Sequence, residues 1–177
     1  TPAFTPISLA QLNARAALLQ RSDNKYIVDG AVLQQAVPLF ARDFHILEID
    51  GRRSFTYETC YFDDAAYSSY FNHHQGRRRR SKVRMRRYPD AGQCFVEVKL
   101  KDKRGATVKR RLECAPEQFG SLDARALAFV QNAHQDLYGT PLAQHLRPVV
   151  TMRYQRLTLV ARQGGERMTV DFDLRFA

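Results

Sequence analysis

Fifteen of the chain's 28 Lys and Arg fall between residues 77 and 111, beside only three acids, Asp90, Glu97 and Asp102. That stretch carries +12 and the remainder −2, so it holds the whole basic excess of a chain with net charge +10. The spacing of these charges points to chemistry. In Ser81–Tyr88, Lys82, Arg84, Arg86 and Tyr88 share one parity and Val83 and Met85 the other. In Phe95–Lys101, Glu97, Lys99 and Lys101 oppose Val96, Val98 and Leu100. In Thr107–Cys114, Thr107, Lys109, Arg111 and Glu113 alternate with Val108, Leu112 and Cys114, and Arg110 is the misfit. Such side chains bind polyanions: an arginine fork takes two phosphate oxygens, and a lysine supplies a mobile point charge. Each charge-assisted contact is worth about 1.5–3 kcal/mol, so a ladder of them holds a polyanion tightly. A solvated face also satisfies the alternation, although like charges facing each other across strands repel.

Other chemistries find little support. No Ser/His/Asp or Cys/His arrangement is evident. Cys60, Cys94 and Cys114 are odd in number and far apart, make neither a disulfide framework nor a zinc pattern, and fit a reducing, cytoplasmic setting as strand residues. The Arg77–Arg80 run alone could be a nucleic-acid patch. No aromatic platform or RNA-binding signature accompanies it, so nucleic acid is not an expected partner. No apolar run approaches the roughly 20 residues of a membrane span, and no signal peptide is visible.

Period-two alternation means strand, so the basic stretch is three antiparallel strands turned at Asp90-Ala91-Gly92 and Lys103-Arg104-Gly105. Upstream, Ser8–Gln20 has helical spacing with a Ser8 cap, followed by a short strand over residues 21–28. Asp29 caps a helix to about Phe40, which Pro38 should end or kink. Asp43–Asp50 and Arg53–Asp63 read as a hairpin around Gly51, and Asp64–His74 as a short helix with Tyr67, Tyr70 and Phe71 as packing residues. Pro116–Leu137 is the best long helix, its stripe running through Phe119, Leu122, Ala126, Leu127, Phe129 and Val130. A connector at Gly139-Thr140-Pro141 leads to a helical turn ending at Pro148. Strands Val149–Ala161 and Glu166–Phe176, joined at Gly164-Gly165, close the chain.

At 177 residues the chain is read as a single domain with a real core. The expected class is α+β: an eight-stranded antiparallel, tunnel-like barrel with flanking helices, closed or left incompletely closed. A small barrel normally fills its interior with apolar side chains or one ligand. Here the apolar faces would pack outward on the helices and the charged faces line a polar tunnel. Such a tunnel needs its charges hydrated, paired or neutralised by an anion.

Seven pieces in order now bear on identity: Arg21/Asp23/Lys25/Tyr26; Tyr57/Thr59/Tyr61/Phe62/Asp63; Lys82/Arg84/Arg86/Tyr88; Phe95/Glu97/Lys99; Lys109/Arg111; Tyr154/Arg156; Arg167/Thr169/Asp171. Together they resemble the VTC polyphosphate polymerase domain of the CYTH, or triphosphate tunnel metalloenzyme, superfamily. The resemblance implies phosphate contacts from Lys25, Arg84, Arg86, Lys99, Lys109, Arg156 and Arg167, with Arg84, Arg86 and Lys99 nearest the chemistry. It implies ATP and inorganic polyphosphate or triphosphate as partners and Mn²⁺ or Mg²⁺ as the divalent ion. The γ-phosphate of ATP would pass in line to a growing polyphosphate chain, a reaction that needs positioning and electrostatics more than a protein nucleophile. Asp23 stands where the family usually has Glu. The family usually continues into a further strand and a terminal helix that supply a metal-binding Glu and another Lys. The sequence ends at Ala177, so the expectation is a fragment, an open barrel, or a partner chain that completes it. Glu97, Glu113 and Asp171 remain as candidate metal ligands, with internal salt bridges the preferred role for each. A tripolyphosphatase on the same fold, or a non-catalytic polyphosphate-binding module, are the alternatives. His73 and His74 read as surface residues near the Arg run.

Overall fold

The basic meander forms as its alternation requires. In the computed structural model, which describes residues 4–15, 24–102, 105–142 and 145–177, it is β4 (Ser81–Tyr88), β5 (Gln93–Lys101) and β6 (Thr107–Cys114). Adjacent strands are antiparallel and in continuous register, Arg84 facing Glu97 and Glu97 facing Arg111. The first turn is a 3-10 turn over Pro89–Ala91 that ends on Gly92 at φ 61°, a left-handed conformation favoured by glycine. Lys103 and Arg104, expected in the second turn, lie outside the described residues, as do Arg21 and Asp23.

The remaining elements are β1 (Thr5–Ile7), α1 (Leu9–Arg15), α2 (Gly30–Asp43), β2 (Phe44–Leu47), β3 (Phe55–Asp63), α3 (Ser68–His74), α4 (Ala124–Tyr138), β7 (Arg147–Ala161) and β8 (Arg167–Phe176). The architecture is α+β with eight strands, as expected. Hydrogen bonding follows the order β1-β2-β7-β3-β4-β5-β6, with β8 paired to β7, so the path ends at β1 and β6. One pairing departs from the antiparallel expectation: β1 runs parallel to β2.

The chain divides into two compact units. The first takes residues 1–55 and 155–172. Its core comprises Phe4, Ala41, Ile46 and Leu159 in one cluster and Ile7, Leu12, Leu47 and Val160 in another. The second takes residues 56–154 and 173–177, with a larger core of Cys60, Phe62, Val83, Met85, Val96, Val98 and Leu100 under α4. The apolar parity of β4 and β5 is therefore the helix-covered face. Ala126, Val130, Ala133 and Tyr138 supply the helix side.

Several sequence expectations are corrected. The Ser8–Gln20 helix is observed as Leu9–Arg15, residues 16–20 lying outside the described set. Residues 24–28 form no strand. Asp29 caps α2 through the Ala31 amide, yet the helix runs past Pro38 to Asp43. Proline deprives the carbonyl four residues back of its donor, but Gln34 is exposed and water can serve it. The hairpin around Gly51 shrinks to a single bridge, Ile49 to Arg52, because β2 pairs with β7 rather than β3. Both Asp50 (φ 50°) and Gly51 (φ 74°) are left-handed, the twist of a tight two-residue turn.

The long helix starts at Asp123, whose carboxylate caps the Ala126 amide. Pro116–Gln118 is a separate 3-10 turn. Phe119 and Leu122 still pack on the core from the intervening loop, and Leu127 is exposed. Where a helical turn to Pro148 was expected, β7 already begins at Arg147. Tyr67, Tyr70 and Phe71 are exposed rather than core residues. Cys94 and Cys114, distant in sequence, are direct cross-strand partners, both as free thiols.

Candidate anion-binding face

The face of the second unit opposite α4 carries the charges. Register arranges them in rows across three strands. Lys82, Lys99 and Lys109 form one row, Arg84, Glu97 and Arg111 the next, Arg86, Phe95 and Glu113 the third. Neighbouring strands lie about 5 Å apart, so the lysine row sets like charges side by side, a destabilising arrangement unless something negative compensates it.

Glu97 is the internal counter-charge. It is 2% exposed and sits on the central strand. Its Oε2 accepts from Arg84 Nε at 2.7 Å and Nη2 at 2.6 Å, and Lys109 Nζ lies 2.5 Å from its Oε1. Burial alone would push its pKa up; Arg84 and Lys109 overcome that and hold it at about 2. Burial likewise works against the charge on Arg84, but Glu97 and Tyr61 outweigh it and its pKa is raised. Arg84 Nη1 also donates to the Tyr61 hydroxyl at 3.4 Å.

One carboxylate does not neutralise the face. Arg86 donates to Thr59 Oγ1 at 3.3 Å and lies over the Tyr57 ring. Arg111 lies over Phe95 at 4.9 Å. Among the described residues neither has a carboxylate partner in contact, and nor does Lys99. Lys99 reaches solvent, yet partial desolvation, then the charges of Arg84 and Lys109, lower its pKa. Arg86 and Arg111 thus rest against neutral or aromatic neighbours and Lys99 against like charges, an arrangement that favours a negative partner.

The structure brings four predicted residues, Arg84, Arg86, Lys99 and Lys109, onto this one face. The other three belong to the first unit. Lys25 is exposed outside regular structure, Arg167 is exposed at the start of β8, and Arg156 makes a two-pronged pair with Asp171 at 2.6 and 2.7 Å. The candidate metal ligands divide similarly. Both oxygens of Glu97 and of Asp171 are occupied by cationic side chains, Glu113 is exposed, and no cluster of three or more metal-ligating side chains occurs among the described residues. The described acids do not fit a resident divalent ion.

Some participants were not among the phosphate contacts that the resemblance implied. Lys82 and Arg111 complete the rows, and the parity that marked their neighbours marks them too. Tyr57, Tyr88, Phe95 and Tyr154 form an aromatic border beside Arg86, with Tyr57 stacked on Tyr154 at 5.4 Å and 17°. Only the pairing of four strands, β3, β4, β5 and β7, brings that grouping together. Asp63, the acid of the Tyr61-Phe62-Asp63 motif, is buried and accepts from the Ser69 and Tyr70 amides, so it anchors the start of α3. Arg110 lies on the α4 side, where it pairs with Asp136, which explains the break in alternation.

No helix of the described residues is long and apolar enough to cross a membrane. A search of curated proteins found no match. A family model, the VTC domain, matches residues 20–177, which include every strand of the basic face. With nearly the whole chain matched, and its lysine and arginine rows standing on one sheet face, this protein belongs to the VTC domain family.

Proposed function

We propose that the chain binds inorganic polyphosphate or triphosphate on this face and extends it from ATP. The terminal oxygen of the bound chain attacks the γ-phosphorus of ATP in line. The bond from that phosphorus to the bridging oxygen breaks, and ADP leaves with the electron pair. Arg86 and Lys99 hold the transferred group, Arg111 and Lys109 the flanking phosphates, while Arg84 is oriented by Glu97 and Tyr61. Preorganised cations stabilise the charge that spreads over the equatorial oxygens, so no protein nucleophile is required. Mn²⁺ or Mg²⁺ enters with the nucleotide as part of the substrate. The observation that carries this reading is the Lys99–Lys109 pair beside Arg84, Arg86 and Arg111, an array with more cations than Glu97 and Glu113 balance.

Purified protein incubated with ATP and Mn²⁺, with products resolved on a gel, tests it. Long polyphosphate is the expected product. Free phosphate alone would replace this reading with tripolyphosphatase chemistry. Tight polyphosphate binding without turnover would reduce the chain to a binding module.

A further inference from the structure

The second unit has another basic site, on the side of the sheet that carries α4. A cavity of about 100 Å³ lies between α3, the segment leading into β4, and the end of α4. Its walls include Ser69, Asn72, Arg79, Arg80, His134 and Thr140, with Tyr138 beneath, and no carboxylate of the described residues lines it. The floor is fixed in place. Tyr138 is buried, and its hydroxyl reaches the Arg80 carbonyl at 3.1 Å and the Lys101 carbonyl at 2.7 Å. Arg79 lies over the Tyr138 ring at 5.7 Å, and Arg80 Nη1 donates to the Arg77 carbonyl at 2.7 Å. His134 Nδ1 lies 2.8 Å from the Thr140 carbonyl and so carries the hydrogen, which leaves Nε2 as the remaining ring nitrogen.

We infer that this cavity binds a single tetrahedral oxyanion, a phosphate group. Two guanidinium groups, hydroxyls and an amide form a donor-rich lining suited to phosphate oxygens. The volume corresponds to roughly three waters at about 30 Å³ each and is well below the 300 Å³ or more of a nucleotide-sized pocket. Among the described residues no acid contacts any of Arg77–Arg80, so the run keeps its full charge for an external anion. The site lies on the helix side of the sheet, away from the lysine rows, and stands independently of the function proposed for them. Orthophosphate and the end of a short polyphosphate share the chemistry it recognises.

The test follows the His134 ring and Asn72 side-chain NMR signals of the full chain as orthophosphate, and separately tripolyphosphate, is added at matched ionic strength. Saturable shifts are expected, weakened at least tenfold in the Arg79→Gln/Arg80→Gln variant, whose tripolyphosphate affinity at the lysine rows stays within twofold. Tighter saturation by tripolyphosphate identifies a chain end as the occupant; equal or weaker saturation identifies free phosphate. The Arg86→Ala/Lys99→Ala variant should retain the His134 response, and its loss there would overturn an independent site. Equal shifts with chloride alone, or an unaltered response in the Arg79/Arg80 variant, would also overturn it.

Discussion

Replacing Glu97 by Gln removes the one buried negative charge that holds Arg84 and Lys109 together. Its carboxyl is displaced from 4.5 to about 2, and at about 1.4 kcal/mol per unit that displacement represents about 3 kcal/mol of stability at neutral pH. For a chain of this size the loss is about 6–12 °C in Tm. Because the folded-state pKa is depressed, the contribution is complete above the unfolded value near 4.5 and disappears as pH falls toward 2. Thermal melts of both proteins should therefore differ at pH 7 and converge near pH 2.

Polyphosphate makes the experiment diagnostic, since it competes with Glu97 for the same cations. Tripolyphosphate at 100 times its Kd adds about 2.7 kcal/mol, nearly the amount the substitution removes. It should restore the variant's Tm to near that of the ligand-free wild type and bind the variant more tightly than the wild type. An unchanged melt for Glu97→Gln at pH 7, or weaker tripolyphosphate binding by the variant, would refute Glu97 as an internal stand-in for the polyanion.

Arg86→Ala and Lys99→Ala should each weaken tripolyphosphate binding about 10- to 100-fold by calorimetry, with little change in folding. Arg110→Ala, which breaks only an exposed pair with Asp136, should leave binding within about twofold and cost under about 1 kcal/mol of stability; equal binding losses from Arg110 and Lys109 replacement would refute the face assignment. Lys99 starts from a lowered pKa and a bound anion raises it, so affinity should fall as pH rises through the free-state value, and Lys99→Arg should move that fall to higher pH. Burial, then Cys114, push the Cys94 thiol up to about 12, so mass spectrometry after alkylation at pH 8 should find it unlabelled until the protein unfolds. Asp63→Ala should lower stability by about 1–2 kcal/mol through the orphaned Ser69 and Tyr70 amides, read by denaturant titration.

The strands of the basic face and the side each residue takes were determined by the sequence alone. Successive Cβ atoms in an extended chain point to opposite faces, so Val83, Met85, Val96, Val98 and Leu100 could only share one face and Arg84, Arg86, Glu97 and Lys99 the other. The cap at Asp29 was legible for the same local reason. Which strands distant in sequence become neighbours was not. The tight turn at Asp50-Gly51 invited a β2–β3 hairpin, but Ile46 and Leu159 bury together in one cluster, and β2 pairs with β7 across more than a hundred residues.

Tertiary structure also assigned the individual roles. Glu97 lies between Arg84 and Arg111 only because two strand registers coincide, Arg110 is sensible only once Asp136 faces it, and Cys94 meets Cys114 only across a ladder. Alternation is a property of the backbone that each residue carries with it. Partnership depends on where a distant segment comes to rest, and burial of the whole core decides that.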